Sequence, residues 1–218
     1  MKSENEPVGV SRPRAGRPAR GQQEKRHEEL LNVALDIFLE RGFEQATMVE
    51  IATAVGMSKR TVYALYEDKA ALFKATVRRA VERYTIPREA IDPLVTDNLE
   101  QTLTAIAHQR VMNMSTPVAV KLQRILSAQS YRFPELFHIA FEEGAGPAVD
   151  VLSSVFVAHT AKGEIAVAAP RRAAVAFLSL VVSGPARLFV LGEAMPREEI
   201  DSRISFAISL FLNGVRVR

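Results

Sequence analysis

The sequence predicts an all-α fold, and three observations lead to this expectation. Apolar residues recur at intervals of three and four along most of the chain, no segment alternates apolar and polar residues as a half-buried strand does, and capping residues precede several apolar stretches. The 218 residues, 48% of them hydrophobic, suffice for one large or two modest domains. Because cysteine is absent, disulfides and thiolate metal sites are excluded.

Residues 1–23 have the composition of a flexible arm, in which arginines alternate with prolines and glycines. The stretch Gly16-Arg17-Pro18 is similar to the core of an AT-hook, in which an arginine enters a narrow minor groove. We therefore expect Arg14, Arg17 and Arg20 to contact DNA; the alternative is a solvated tail.

A first helix is predicted from about Gln23 to Arg41, because one of its faces is apolar. That face consists of Leu30, Ala34, Ile37 and Phe38. Gly42 is expected to end this helix, and Phe43 to turn back into a small core.

Two short helices joined by a tight turn are predicted next. Thr47 and Glu50 have the spacing of a capping box that opens the first of them. Gly56 permits the left-handed backbone of a sharp turn, and Ser58 caps the second. These spacings predict a helix-turn-helix, whose second helix enters a DNA major groove. Asp68 then caps a fourth helix that runs to about Tyr84.

The charge distribution agrees with a nucleic-acid partner for this part of the chain. Residues 1–84 hold 15 Lys and Arg against 12 Asp and Glu, whereas residues 85–218 hold 13 of each. All of the excess positive charge therefore lies in the half with the helix-turn-helix, and we expect its partner to be a polyanion, double-stranded DNA.

Enzymatic functions are disfavoured. Nucleophile-elbow, dinucleotide and phosphate-loop motifs are absent, so neither catalytic residues nor a cofactor is predicted. The four histidines are scattered; His138 and Glu142 have a spacing that could share a metal, but such pairs more often form a surface hydrogen bond, and no metal site is predicted.

No membrane partner is expected. The N-terminus lacks the apolar core of a signal peptide, and the longest uncharged apolar run, Ala173 to Ala186, is shorter than a membrane span. We expect a soluble cytoplasmic protein.

The second half, residues 85–218, is predicted to be a helical domain beyond a hinge flanked by Pro87 and Pro93. The first half then comprises the arm and a DNA-binding domain at 24–84. The helices expected after the hinge run from Val95 to Met114, from Pro117 to Tyr131, from Pro134 to His159 with a break at Gly144–Pro147, from Pro170 to Leu191 with a kink at Gly184–Pro185, and from Arg197 to Asn213 with Gly214 ending it.

The DNA-binding domain resembles that of the TetR/AcrR family of transcriptional regulators over roughly residues 24–84. The positions that carry the resemblance are Gly42-Phe43, Thr47, Ile51-Ala52, Val55-Gly56, Met57-Ser58, Thr61-Val62-Tyr63, Tyr66, Lys69, Leu72 and Phe73. Residues 126–143 and parts of 163–178 resemble the C-terminal regulatory domain of one TetR subgroup. The resemblance implies a homodimeric repressor that binds a palindromic operator and is released by a small molecule. An activator, or a regulator whose second domain serves only interaction, remains open.

DNA contacts are expected from the helix-turn-helix. Lys59, Arg60 and Thr61 occupy the first turn of the recognition helix, where Arg60 either pairs with a guanine or remains a solvated surface arginine. The resemblance implies phosphate contacts for Tyr63 and Lys69. The remaining candidates are Thr47, Ser58 and Tyr66, of which Thr47 doubles as a helix cap and Tyr66 is also a packing residue.

The second domain supplies candidates for an apolar effector cavity and a dimer interface. The cavity candidates, which are equally compatible with plain core, are Met112, Met114, Phe137, Phe141 and Phe177, with His108 or Arg124 as a polar tether. The last two helices carry too many apolar residues for the edge of a monomer. The interface candidates are Leu180, Leu188, Ile204, Ala207, Leu210 and Phe211.

Overall fold

The computed structural model describes residues 20–217, without the side chain of Arg20. Within that range the chain is helical and forms no strand; an isolated antiparallel bridge joins Ile165 to Arg216. The all-α prediction is therefore confirmed. The predicted DNA contacts of Arg14 and Arg17, and that of the Arg20 side chain, lie outside the described residues.

Ten α-helices and one 3-10 turn follow one another between residues 20 and 217. They are α1 (Arg20–Gln45), α2 (Met48–Ala54), α3 (Lys59–Leu65), α4 (Lys69–Tyr84), α5 (Arg88–Ile91), the 3-10 turn Asp92–Leu94, α6 (Leu99–Met114), α7 (Pro117–Ala128), α8 (Pro134–Ala161), α9 (Pro170–Leu191) and α10 (Arg197–Val215).

The first four helices form a small head around an aromatic centre. Phe38, Phe43 and Phe73 are almost fully buried, and the rings of Phe38 and Phe73 meet edge to face with centroids 5.0 Å apart. Gly42, with φ of 76° and ψ of 168°, interrupts the helical backbone of α1 and returns Phe43 to this centre, as predicted. Helix α1 begins at Arg20 rather than Gln23, so the last residues of the predicted arm are helical.

Helix α6 begins at Leu99, four residues after the predicted Val95, and four other details of the second half also differ from the prediction. The segment expected to be a hinge contains α5, and Ile91 at its end is fully buried, so the connection is packed into the core. Helix α7 stops at Ala128, three residues before Tyr131. Helix α8 runs through Pro147 without a break while packing against α4 and α9. Helix α10 passes Gly214 and ends at Val215.

The buried residues form two hydrophobic cores, and the boundary between them does not follow the hinge. One core lies among α6, α8, α9 and α10. The other belongs to the head but also contains residues of α7 and of the corner before α8, namely Leu122, Ile125, Leu126, Phe133 and Leu136. The head is therefore packed onto the corner between α7 and α8.

Phe133 is the centre of this junction. Its ring lies 5.2 Å from that of Phe43 and 5.4 Å from that of Phe73, measured between centroids. Ion pairs flank it: Arg132 Nη1 lies 2.8 Å from Glu44 Oε1, and Lys74 Nζ lies 2.6 Å from a carboxylate oxygen of Glu135. The two parts of the chain are thus joined by an apolar contact with charged edges.

Helix α9 is long and apolar enough to cross a membrane by length and composition alone, contrary to the expectation that no segment reached that length. A core helix of a soluble protein passes the same test, and α9 packs against α6, α7, α8 and α10. One third of its most apolar window is buried, and Leu180 and Leu191 of α9 are 43% and 67% exposed.

Candidate functional site

The helix-turn-helix is held by local caps that the sequence predicts. The hydroxyl of Thr47 accepts a hydrogen bond from the Glu50 amide at 3.1 Å, and that of Ser58 accepts one from the Thr61 amide at 3.1 Å. Gly56 takes a φ of 66°, which lets the Met57 amide donate to the Ala52 carbonyl at 2.9 Å. The capping box is only half formed, because the Glu50 carboxylate pairs instead with Arg41 Nε at 2.9 Å.

The outer face of α3 is a solvent-exposed, basic surface. Lys59, Arg60, Thr61 and Tyr63 are exposed, whereas Val62 between them is fully buried against the head. Lys59 Nζ lies 5.6 Å from the centre of the Tyr63 ring, and the Ser58 and Thr61 hydroxyls lie 2.8 Å apart. This geometry presents a cation and a phenol side by side, the donors that phosphate and base edges require. That these residues contact DNA stays a prediction.

Tyr66 makes a contact with α1 that was not predicted from the sequence. Its hydroxyl lies 2.7 Å from His27 Nε2 on α1, and the two rings are stacked with centroids 5.9 Å apart. Partial burial raises the pKa of Tyr66. Tyr66 therefore ties the end of α3 to α1, and its hydroxyl is already engaged.

Lys69 is anchored within the head. Its ammonium donates to the carbonyls of Glu44 and Ala46, each at 3.0 Å, and lies 4.6 Å from the centre of the Phe43 ring. These contacts use two of its three N–H donors and hold the connection between α1 and α2 against the start of α4. The third donor leaves the predicted phosphate contact open.

Lys25 and Arg26 are exposed cations next to the His27–Tyr66 pair, on the turn of α1 that flanks the end of α3. The sequence reading did not select them, although two basic residues beside the helix-turn-helix were a signal for further phosphate contacts.

A cavity of about 440 Å³ lies between α4 of the head and helices of the second half, a size that suits a small organic ligand. Residues of α4, α6, α7, α8 and α9 line it, and most of the lining is apolar. Met114, Phe137 and Phe141, three of the predicted wall residues, are among them. Phe137 and Phe141 are 49% and 42% exposed, so the wall reaches the surface along α8.

The other four cavity candidates lie elsewhere, which corrects their predicted placement. Phe177 is fully buried in the domain core, with its ring 5.2 Å from that of Phe211. Met112 is 47% exposed outside the lining. His108 Nδ1 faces Asp201 Oδ1 on α10 at 3.6 Å, and Arg124 Nε donates to the Val190 carbonyl at 2.7 Å near the end of α9.

Arg110 was not predicted from the sequence, although it is the more buried of the two charged residues that line the cavity. Arg110 lies on α6, is only 5% exposed and lines the cavity. Burial lowers the pKa of its guanidinium, because water no longer solvates the charge. A signal was present: Leu103, Ile106 and Ala107 form an apolar face at helical spacing, and Arg110 continues it.

The interface candidates divide into two groups. Leu180 and Leu210 are 43% and 54% exposed on α9 and α10, and Phe206, four residues before Leu210 on α10, is 72% exposed. Leu188 and Phe211 are partly buried. Ile204 and Ala207 are buried in the protomer core, which removes them as surface contacts.

Within residues 20–217, no cluster of three or more His, Asp or Glu side chains is arranged to hold a metal ion. Glu142, one half of the His138–Glu142 pair, lies 3.7 Å from Arg171 Nη2.

These features define a class of protein: a helix-turn-helix regulator whose remaining helices surround a cavity. Family models identify the branch. Residues 30–76 match the model for bacterial regulatory proteins of the tetR family, and residues 101–214 match that of the AefR-like transcriptional repressor, C-terminal domain. The chain therefore belongs to the TetR family of transcriptional regulators, which are DNA-binding regulators and not enzymes, typically cytoplasmic.

Two curated relatives illustrate the range of the family. The chain is 27% identical over 139 residues to the HTH-type transcriptional repressor BepR of Brucella suis, an alignment that covers 54% of this chain and 66% of the relative. It is 31% identical over 100 residues to the HTH-type transcriptional activator FasR of Mycolicibacterium smegmatis, covering 45% and 46%. The chain thus spans less than two thirds of the length of these relatives.

Solved structures match over nearly the whole chain. A TetR-family regulator from Mesorhizobium loti has a TM-score of 0.74 at 23% identity, covering 90% of this chain and 99% of that one. The Flavonoid-responsive Regulator FrrA has a TM-score of 0.70 at 27% identity, covering 89% and 99%.

Proposed function

We propose that this protein is a homodimeric transcriptional repressor that binds a palindromic operator and leaves it when a small molecule fills the cavity. The observation that carries the proposal is a shared helix. The last turn of α4 and the residue after it contribute Val81, Tyr84 and Thr85 to the cavity wall. At the other end of α4, Lys69 donates to the Ala46 carbonyl directly before the helix-turn-helix. A ligand that fills the cavity can therefore displace the head through α4, a single helix that contacts both.

The repressor assignment draws on BepR, which is named a repressor, and on the C-terminal family model, which is described as that of a repressor. Release by a small molecule draws on the cavity and on FrrA, a regulator of the same architecture described as flavonoid-responsive. FasR is named an activator, so the direction of regulation is the part of the proposal that a transcription assay must decide.

Dimerisation is proposed through α9 and α10. Their outward faces carry Leu180, Phe206 and Leu210, which together form an apolar surface on the protomer. Pairing with a second copy forms a four-helix bundle that removes this surface from water. The two-fold axis then places the two α3 helices in successive major grooves, about 34–36 Å apart.

We propose that α3 reads the operator with a division of roles. Arg60 pairs with a base edge, because it is exposed in the first turn of α3. Tyr63 and Lys69 position the protein on phosphates, helped by the hydroxyls of Thr47 and Thr61.

The test begins with selection of genomic fragments by the purified protein, followed by binding measurements on single-base variants of the enriched site. We expect an inverted repeat. Arg60→Ala should flatten the preference at one position in each half-site by about 5- to 100-fold, whereas Tyr63→Ala should weaken binding to every variant alike. The exposed Arg172, on α9, provides the control, because Arg172→Ala changes the same charge away from the head. Equal losses for Arg60→Ala and Tyr63→Ala on all variants would remove the base-reading role.

Sedimentation velocity at micromolar concentration tests the dimer. Phe206→Glu should produce monomers, because it places a charge on the proposed interface while the protomer core is untouched. Tyr131→Glu, at an exposed position in the corner before α8, should remain dimeric. A monomeric wild-type chain refutes the proposal.

A further inference from the structure

We propose that the cavity binds an organic anion, a molecule with an apolar body and one carboxylate-type group that pairs with Arg110. The inference rests on the proposed function, since it names the chemical class of the effector. It begins from the electrostatics of the cavity. Of the described residues 20–217, two arginines, Arg110 and Arg187, belong to the lining, and no aspartate or glutamate does. The cavity is thus an apolar space with positive charge only.

The surroundings of Arg110 bury its positive charge and do not neutralise it. The side chain is 95% buried, since its exposed fraction is 5%, and its Nε is buried with no hydrogen-bond partner in the part of the chain that the structure describes. Among residues 20–217 no carboxylate lies within ion-pair distance of the guanidinium, whereas Arg41, Arg79, Arg132 and Arg203 each pair with a carboxylate. Burial of an unpaired cation is costly, and folded proteins normally compensate it with an anion or several acceptors.

A carboxylate fits this position better than a neutral polar group. The planar guanidinium offers parallel N–H donors at the spacing of two carboxylate oxygens, and such pairs strengthen where water is excluded. Asn113, Gln123 and Ser127 in the same lining supply neutral hydrogen bonds. The remaining wall, which includes Leu122, Leu126, Val149, Leu178 and Val182, suits an aliphatic or aromatic body.

The position of Arg110 also connects the anion to the DNA-binding half. Arg110 and the final turn of α4, with Val81, Tyr84 and Thr85, line the same cavity. A ligand whose acidic group binds Arg110 therefore has a fixed orientation with respect to α4, the helix that links the cavity to the rest of the head. An apolar molecule without that group occupies the same space without a fixed orientation.

The test uses matched probes and calorimetry on the full-length protein. Naphthalene-2-carboxylate and naphthalene-2-carboxamide have nearly the same shape and differ in charge, and dodecanoate with dodecanamide repeats the comparison on a flexible body. We expect each acid to bind the wild-type chain at least about tenfold more tightly than its amide. Equal affinities, or failure of both acids to bind, overturn the proposal without reference to any variant.

Variants then assign the preference to one residue. Arg110→Met keeps an unbranched apolar stem, shorter than that of arginine, and removes the charge, so the ratio of acid to amide affinity should fall to about one. Arg110→Lys should keep part of the preference. Arg172→Met, an exposed arginine outside the lining, should leave the ratio unchanged. A ratio that survives in Arg110→Met refutes the assignment to Arg110.

Operator release is measured separately, by titrating each acid into a complex with the selected DNA. Acid binding through Arg110 without release supports the anion site and contradicts the release step of the proposed function. Operator binding by a chain that binds neither acid contradicts the anion site and leaves the DNA-binding role intact.

Discussion

Phe133 provides the sharpest test of the way in which the two parts of this chain are joined. It belongs by sequence to the second half, but it is 5% exposed and its ring contacts those of Phe43 and Phe73 inside the head. Phe133→Ala should therefore destabilise the DNA-binding part, although the residue lies about 50 positions beyond its predicted end at Tyr84.

The magnitude follows from these contacts. Truncation of a buried phenylalanine to alanine costs about 3–5 kcal/mol, which includes the lost transfer free energy and the cavity left behind. The edge-to-face contact with Phe43, with centroids 5.2 Å apart, belongs to the geometry that contributes beyond simple burial. We expect the free energy of unfolding to fall by about 3–4 kcal/mol, which moves a urea midpoint by about 1–2 M.

The assay is urea unfolding followed by circular dichroism at one fixed protein concentration, because dimerisation makes stability depend on concentration. Phe137→Ala is the matched control: it lies four residues later, on α8, and is 49% exposed on the cavity wall. Its loss should be about 1 kcal/mol or less. Similar losses for the two variants, or a loss below about 1 kcal/mol for Phe133→Ala, would show that the corner between α7 and α8 does not support the head.

Two further predictions concern the backbone and the pH dependence of stability. Gly42→Ala should lower the free energy of unfolding by about 1–3 kcal/mol, because φ of 76° with ψ of 168° is a region that essentially only glycine adopts. Gly144→Ala, inside α8, is the control: the added Cβ would meet Thr85 Oγ1 and Val81 Cγ1 at 4.0 Å, an ordinary contact distance, so the free energy of unfolding should stay the same or rise by up to about 1 kcal/mol in the same urea assay. Glu164 accepts a hydrogen bond from His159 Nδ1 at 2.6 Å, which lowers the pKa of its carboxyl, so this contact stabilises the fold when Glu164 is ionised and is lost as the pH falls through its folded pKa. Thermal unfolding should accordingly show Glu164→Gln less stable than wild type at neutral pH, with the difference narrowing in acid; a difference that stays constant with pH would contradict the role of ionisation.

The features predicted correctly from sequence depend on neighbours along the chain. Thr47, Ser58 and Asp68 cap helices through amides two or three residues away, so the residue types and their spacing suffice. Gly42 and Gly56 mark the two sharp turns because other residues adopt positive φ only at a cost. The helix-turn-helix could therefore be placed before any tertiary contact was known.

The errors lie where distant segments compete for the same group. The Glu50 carboxylate has the spacing for a capping box, but it pairs with Arg41 from another helix. Pro147 has the composition of a break, but α8 stays continuous where it packs between α4 and α9. In both cases the local residue pattern favours the predicted feature, but contacts with distant segments determine the structure that forms.

The cavity was only partly predictable for a related reason. Periodicity identifies which face of a helix turns inward, and three of the residues it selected, Met114, Phe137 and Phe141, lie in the cavity lining. It cannot say which inward position meets a neighbouring helix and which meets a gap, since that depends on the crossing of five helices. Phe177 and His108 accordingly contact other side chains, while Arg110 lines the cavity.

The sequence by itself determined the all-α class, the reading head and the family, because these depend on caps, turns and periodicities that short stretches encode. Only the tertiary structure decided that Phe133 completes the core of the head, that Lys69 is bound to two carbonyls, and that Arg110 is a buried cation without a partner among residues 20–217. The physical reason is that burial and pairing are properties of contacts between segments far apart in the chain, and helix packing angles, which no single segment encodes, set those contacts.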